Sequence, residues 1–134
     1  MIKGEIVTQM IDGLLKLPDS LKTQEVDYID KKRRFDELLI QKKVIENDVA
    51  RVVDNDVIEE DGKIKKKYKN QAERDAETRT RLRSHQEYRE IDQILNKLKE
   101  DIDLQELQIK YLSRRLRSFE ALAILNKDLG EKHE

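Results

Sequence analysis

Apolar residues in the second half of this chain follow an unbroken alternation of three- and four-residue spacings, and no other feature constrains the fold as strongly. The series has one polar member, Gln105, and consists of Tyr88, Ile91, Leu95, Leu98, Ile102, Gln105, Ile109, Leu112, Leu116, Phe119 and Ala123. This spacing places all members on one stripe of an α-helix, as at the a and d positions of a coiled coil. It predicts a helix over residues 85–126 that packs on another helix along this seam. Ser84 with Glu87 has the form of a capping box at its start, and Gly130 is a suitable stop.

The rest of the chain predicts three further helices. A poorer heptad pattern, with Gln24, Lys31 and Lys42 at seam positions, predicts a helix over residues 20–53. Its apolar stripe consists of Leu21, Tyr28, Phe35, Leu38, Ile45, Val49 and Val52. Pro18 predicts a boundary before this helix, so that residues 5–16 form a separate short amphipathic helix. Asn70 followed by Glu73 is a helix-start pattern and predicts a helix over residues 70–83.

Residues 55–69 connect the predicted helices 20–53 and 70–83 at the tip of the fold. An acidic block and a lysine block flank Asp61-Gly62, which predicts a β-hairpin within residues 56–67. A three-residue turn would place Ile58 opposite Ile64 and match opposite charges across the strands. An isolated two-stranded ribbon is marginally stable in water, so an irregular loop is the alternative.

These elements predict an all-α fold: one elongated coiled-coil domain over residues 1–134, built as an antiparallel helical hairpin. Helix 20–53 would lie beside residues 70–104, and helix 5–16 would lie beside the remainder of the last helix. The apolar face widens in that remainder, which favours a third helix or a second subunit there. We therefore expect a homodimer or higher oligomer whose interface is Leu104, Leu107, Tyr111, Leu112, Leu116, Phe119, Leu122 and Leu125.

Composition narrows the classes of function. Charged residues make up 43% of the chain, against about 25% in an average domain, but regular apolar spacing argues against disorder. The 28 basic and 29 acidic residues nearly balance, so the chain lacks the basic surplus of a dedicated nucleic-acid binder. It has no cysteine, phosphate loop or nucleophile elbow, and we expect no catalytic residue, metal or cofactor. We also expect a cytoplasmic location, because neither a membrane span nor a signal peptide is evident.

Local basic clusters are candidate contacts for nucleic acid or an acidic protein partner. They are Lys63, Lys65, Lys66, Lys67 and Lys69 at the tip; Arg79, Arg81 and Arg83; and Arg114, Arg115 and Arg117. A fourth cluster covers residues 31–34. The alternative interpretation is a solvated helix face, and at the tip two charge blocks that neutralise each other. Gln105 has two interpretations as well: a determinant of helix register, or a polar residue tolerated at a partly exposed position.

Residues 70–125 resemble small coiled-coil proteins encoded by phages and prophages of Gram-positive bacteria. The resemblance is carried by Asn70-Gln71-Ala72-Glu73-Arg74, Glu87-Tyr88, Tyr111-Leu112, Leu116 and Phe119-Glu120-Ala121-Leu122. His85-Gln86 stands where such proteins often have an acidic residue followed by proline. The resemblance implies an association with phage DNA recombination or replication. The plan of two helices joined by a β-hairpin is also similar to that of prefoldin subunits.

Three functional hypotheses follow. The first is a non-enzymatic adaptor in phage DNA recombination or replication, which acts through the basic clusters or through a protein partner. The second is a phage inhibitor of a host enzyme or defence complex. The third is a prefoldin-like holdase, which requires exposed apolar side chains at the free helix ends.

Overall fold

The computed structural model describes the backbone of residues 2–132 and the side chains of residues 4–128. Three helices and two strands follow in the order α1 (Ile2–Asn55), β1 (Val57–Glu60), β2 (Lys63–Lys66), α2 (Gln71–Ser84) and α3 (Gln86–Lys132). The predicted all-α class, with a β-hairpin inside residues 56–67, is confirmed. No helix in the described range is long and apolar enough to cross a membrane.

The chain forms two compact units, and α1 and α3 contribute to both of them. The first unit contains α1 up to Lys32 and α3 from Glu100 onward, and the second unit contains residues Arg33–Lys99. The assignment of residues 1–134 to a single domain remains a prediction.

The helix boundary predicted at Pro18 is wrong, because α1 continues through it without interruption. A proline inside a helix removes one backbone hydrogen bond and costs about 3 kcal/mol. Burial on both sides of Pro18 offsets this cost, since Met10 and Leu17 before it are 7% and 8% exposed and Leu21 after it is half-buried. The predicted helices 5–16 and 20–53 are therefore one helix.

The seam predicted on α3 is confirmed in full. All of its members are buried or half-buried, and the buried ones are Ile91, Leu95, Leu98, Ile102, Gln105 and Leu112. Gly130 does not stop this helix, which runs on to Lys132. On α1 the apolar stripe ends at Val53, which is 1% exposed, and not at the predicted Val52, which is 52% exposed.

In each unit, α1 and α3 run antiparallel. The contacts in the first unit are Tyr28 with Glu106 and Gly13 with Phe119, and those in the second are Lys42 with Asp92 and Glu46 with Tyr88. The predicted pairing of residues 20–53 with 70–104 would have put Lys42 near Leu82, so the register was misplaced along α3. The start of α2 reaches only the end of α1 and the hairpin segment: the Arg74 guanidinium lies 3.5 Å from the Asp54 carboxylate and donates to the Tyr68 carbonyl at 3.3 Å.

The hairpin turn contains two residues, Asp61 and Gly62, and not the predicted three. Both have positive φ, 55° and 73°, which defines the type I′ geometry that Asp-Gly favours. The strand register shifts by one residue as a result, and Ile58 pairs with Lys65 instead of Ile64. Because side chains alternate between faces, Ile58 and Ile64 lie on opposite faces of the ribbon. Ile58 is half-buried, whereas Ile64 is 77% exposed.

Candidate functional site

The candidate site lies at the junction of α2 and α3, in the second unit. His85 separates the two helices with an extended backbone, φ −79° and ψ 111°. Its N–H donates to the carbonyl of Leu82 at 3.1 Å, and its ring Nδ1 accepts from the N–H of Tyr88 at 3.1 Å. His85 therefore ends α2 and caps α3. The predicted cap at Ser84 is wrong: Ser84 is the last residue of α2, and its hydroxyl donates to carbonyls of the preceding turn.

A groove of about 340 Å³ lies beside this junction, and we term it the arginine groove. It is lined by Arg79, Leu82, Arg83, Tyr88, Arg89 and Asp92. Arg79 and Arg83 are four residues apart and share one face of α2, while Arg89 belongs to the first turn of α3. Leu82 is buried and Tyr88 half-buried. Three guanidinium groups therefore border an apolar and aromatic floor.

The positive charge of the arginine groove is not compensated from within. Among the described side chains, no salt bridge joins Arg79, Arg83 or Arg89 to a carboxylate. Asp92, the acidic residue of the lining, accepts from Lys42 Nζ at 2.7 Å. Like charges four residues apart on a helix destabilise it by about 0.3 kcal/mol. An anion bound between them would remove this repulsion.

A network on α1 holds the floor of the arginine groove in place. The Tyr88 hydroxyl donates to Glu46 Oε1 at 2.9 Å, and Lys42 Nζ lies 5.3 Å from the centre of the Tyr88 ring. Burial, and then the bond to Glu46, raises the pKa of Tyr88. The bond to Asp92 raises the pKa of Lys42, which therefore stays charged at neutral pH. Tyr88 and Asp92 thus have fixed positions before any ligand binds.

Arg81, predicted as a contact residue beside Arg79 and Arg83, has a structural role instead. Its guanidinium donates to the Asp56 carboxylate, to Glu77 Oε1 at 3.0 Å and to the Tyr68 hydroxyl at 3.4 Å. The bonds to Asp56 and Glu77 raise the pKa of Arg81 further above its ordinary range. These contacts join α2 to the hairpin segment, so Arg81 is not available to a ligand in the way that was predicted.

The other predicted basic residues do not line the arginine groove, which is bordered only by the six described residues named above. All five tip lysines are exposed; Lys66 lies 3.6 Å from Asp54, and Lys67 stacks over the Tyr68 ring at 5.5 Å. Arg114, Arg115 and Arg117 are exposed residues of the first unit, where Arg115 stacks over Phe119 at 5.5 Å.

The predicted interface residues fall into two groups within the first unit. Leu112 is 8% exposed and lies on the seam inside the chain, with Leu116 and Phe119 half-buried on the same seam. The exposed members are Leu104, Leu107, Tyr111, Leu122 and Leu125, at 65%, 63%, 56%, 41% and 57%. Of the predicted interface, only this second group is exposed.

Gln105 forms a polar layer in the seam of the first unit. It is 7% exposed, and its Nε2 donates to Gln24 Oε1 at 3.0 Å and to Asp27 Oδ2 at 2.8 Å. Its Oε1 is buried and has no partner among the described residues. The bond from Gln105, followed by that from Lys31, lowers the pKa of Asp27. Two bonds to one level of α1 support the interpretation of Gln105 as a register determinant.

Several residues of the site, among them Arg89, Asp92 and His85, were not singled out from the sequence. Arg89 lies outside the arginine clusters and joins the groove only because the chain breaks at His85. His85 itself was given no role, although it stands three residues before Tyr88, the spacing of a side chain that caps a first turn.

Comparison with protein-family models, with curated proteins and with solved structures finds no match for this chain.

Proposed function

We propose that this chain is a non-catalytic adaptor that binds single-stranded nucleic acid through the arginine groove, in the setting of DNA recombination or replication that the phage resemblance implies. The observation that supports this most is the convergence of Arg79, Arg83 and Arg89 on one groove whose carboxylate is already paired with Lys42.

Phosphate suits this groove better than an isolated carboxylate would. Guanidinium groups bind phosphate oxygens through paired hydrogen bonds, and three of them can neutralise successive phosphates of one strand. Leu82 and the edge of Tyr88 offer apolar contact to the sugar or base between the phosphates. A concave site of this size fits a single strand, because a duplex presents a broad convex surface.

Fluorescence anisotropy with a labelled single-stranded oligonucleotide tests the proposal at about 50 mM salt, where electrostatic binding is strong. If three phosphates are neutralised, the log–log salt dependence has a slope of about −2, at about −0.7 for each phosphate. Arg83→Ala and Arg89→Ala should each weaken binding by about fivefold, or ~1 kcal/mol, and make the slope shallower.

Arg34→Ala is the matched control, since Arg34 is an exposed arginine of the same unit outside the groove. Its affinity should equal that of the unsubstituted chain. The proposal is overturned if no binding occurs at tens of micromolar protein, about the range of weak non-specific binding. It is also overturned if Arg34→Ala weakens binding as much as Arg89→Ala does. A protein partner, as in the adaptor or inhibitor hypotheses, would then be sought.

A prefoldin-like holdase is the second candidate function, because apolar side chains near both free helix ends are exposed. They include Ile11 and Leu15 on α1 and Ile124 and Leu125 on α3, at 51%, 71%, 64% and 57%. The holdase hypothesis requires exposed apolar side chains at these positions. Suppression of the aggregation of a heat-denatured client protein tests it: Leu15→Glu should reduce suppression, whereas Arg89→Ala should not change it.

A further inference from the structure

Two apolar stripes of the first unit have no packing partner within the described part of the chain. The α1 stripe consists of Val7, Ile11, Leu15, Val26 and Ile29, which are 36% to 71% exposed. The α3 stripe consists of Leu104, Leu107, Tyr111, Leu122 and Leu125, which are 41% to 65% exposed. Each stripe has a gap in its middle, between Leu15 and Val26 on α1 and between Tyr111 and Leu122 on α3. Exposed apolar side chains grouped on one helix face mark an interaction site more often than scattered ones do.

Most members of each stripe are offset from the seam by one residue, which is about 100° around a helix. Val26 and Leu107 are offset from it by two residues. On α1 the stripe follows the seam: Ile11 comes after buried Met10, and Ile29 comes after Tyr28. On α3 the stripe precedes the seam, as Leu104 does Gln105. The stripes are therefore second packing faces and not a widening of the seam.

We propose that the α1 stripe of one copy packs antiparallel against the α3 stripe of a second copy. The seam sets the levels along the two helices, because Tyr28 meets Glu106 and Gly13 meets Phe119. We place the second copy alongside in the same orientation and without a shift along the helix axes. Residues of α1 and α3 that share a level within one copy then also share a level between the two copies. The apolar pairs that face each other are then Val7 with Leu125, Ile11 with Leu122, Val26 with Leu107, and Ile29 with Leu104.

The remaining positions of the two stripes are compatible with this register. Leu15 meets the small Ser118, and Lys22 meets Tyr111, where its aliphatic stem covers the ring and its ammonium group reaches solvent. Neither stripe has a large apolar residue opposite a buried charge at these levels.

Charge beside the stripes favours the α1–α3 pairing over a pairing of two α3 stripes. Asp19, beside the α1 stripe, comes to the level of Arg114, beside the α3 stripe. Two α3 stripes packed antiparallel on each other would instead bring Arg114 of one copy to Arg115 of the other. A second copy therefore matches the stripes in both spacing and charge. Binding of an unfolded client would require neither match.

This interface is heterologous, because it joins different surfaces of the two copies. It can therefore be tested by mixing variants. Ile29→Glu damages only the α1 stripe and Leu104→Glu only the α3 stripe, at side chains that are 56% and 65% exposed. The control is Ile40→Glu: Ile40 is 66% exposed on α1 in the second unit, and the residue at the matching level of α3 is Gln93.

Sedimentation velocity over about a hundredfold range of concentration measures the association, with circular dichroism to verify that each variant is folded. The unsubstituted chain and Ile40→Glu should associate. Ile29→Glu and Leu104→Glu should each associate more than about tenfold more weakly. An equimolar mixture of these two variants should form a 1:1 complex, because each retains the stripe that the other lacks.

A charge exchange tests the same interface without touching the apolar residues. Asp19→Arg and Arg114→Asp should each weaken association, and the double variant should restore it. The proposal is overturned if the unsubstituted chain is monomeric throughout, if the mixture stays monomeric, or if only one of the two glutamate variants has an effect. A monomer that captures a denatured client would assign the stripes to the holdase function instead.

Discussion

The first unit exposes apolar side chains along both of its helices, whereas the second unit exposes them mainly on α1, at Leu39, Ile40 and Val44, and has arginines around a break between helices. The polar groups that lie between helices differ as well. Both units have a tyrosine that bonds to a carboxylate at the edge of the seam, Tyr28 to Glu106 in the first and Tyr88 to Glu46 in the second. In the first unit the buried amide of Gln105 also spans the seam, and in the second unit Lys42 bonds to Asp92 at its edge. The same heptad repeat thus runs beside two apolar stripes in one unit and beside the proposed anion-binding groove in the other.

The largest effects are expected from substitutions that create a cavity in each half of the seam. Leu98 in the second unit and Leu112 in the first are 9% and 8% exposed. Leu98→Ala and Leu112→Ala should each lower the free energy of unfolding by about 2–4 kcal/mol, measured by chemical denaturation. Leu107→Ala, at a side chain 63% exposed, should change it by less than about 0.5 kcal/mol under monomeric conditions. A small effect at Leu112 would mean that the seam does not stabilise the first unit.

Replacing Gln105 tests whether the polar layer lowers the free energy of unfolding while it fixes the helix register. Gln105→Leu removes a buried oxygen that has no partner among the described residues, and should raise the free energy of unfolding by about 1–2 kcal/mol. Gln108→Leu, at an exposed position of the same helix, is the control and should have little effect. A decrease for Gln105→Leu would show that its two hydrogen bonds outweigh the unpartnered oxygen.

The same variant should change the acid response, because Gln105 is the first cause of the lowered pKa of Asp27. A lowered pKa in the folded state adds stability above the ordinary value of 3.8, and this stability is lost as the pH falls through the folded-state pKa. Denaturation at neutral pH and near about pH 3 should therefore show a smaller acid loss in Gln105→Leu than in the unsubstituted chain. Equal losses would exclude this coupling.

The smallest expected effect concerns the helix break that shapes the arginine groove. His85→Ala removes the acceptor for the Tyr88 N–H and should cost about 1 kcal/mol. His85→Asn keeps an oxygen acceptor at the cap and should retain most of the stability. If both variants weaken oligonucleotide binding but only His85→Ala is less stable, the ring shapes the groove in addition to capping α3.

Much of the fold follows from local patterns in the sequence. The seam on α3 could be predicted because three-four spacing needs no knowledge of the partner helix. The hairpin and the cap at Asn70 were also predictable, since Asp-Gly and Asn-x-x-Glu act within a few residues. Asn70 Oδ1 accepts from the N–H of Glu73 at 2.9 Å, as expected.

The errors arise where distant contacts decide the outcome. Pro18 suggested a break, yet Leu14, Leu17 and Leu21 keep the three-four spacing across it, and burial outweighs the local preference. Arg81 is paired because the hairpin folds back onto α2 and brings Asp56 to it. Its neighbours Arg79 and Arg83 lie on another face of α2. The spacing of the cluster alone could not show which of its arginines would be paired.

The two-residue turn at Asp61 and Gly62 has a practical consequence for labelling. A Cβ added at Gly62 would meet no atom within 4 Å, and the strand residue before the turn, Glu60, is exposed. Exposed loop tips of this kind tolerate attached groups. Because the chain has no cysteine, Glu60→Cys would introduce its single thiol. A fluorophore there would be attached outside the arginine groove and outside both apolar stripes, so one reporter position serves to follow oligonucleotide binding and self-association alike.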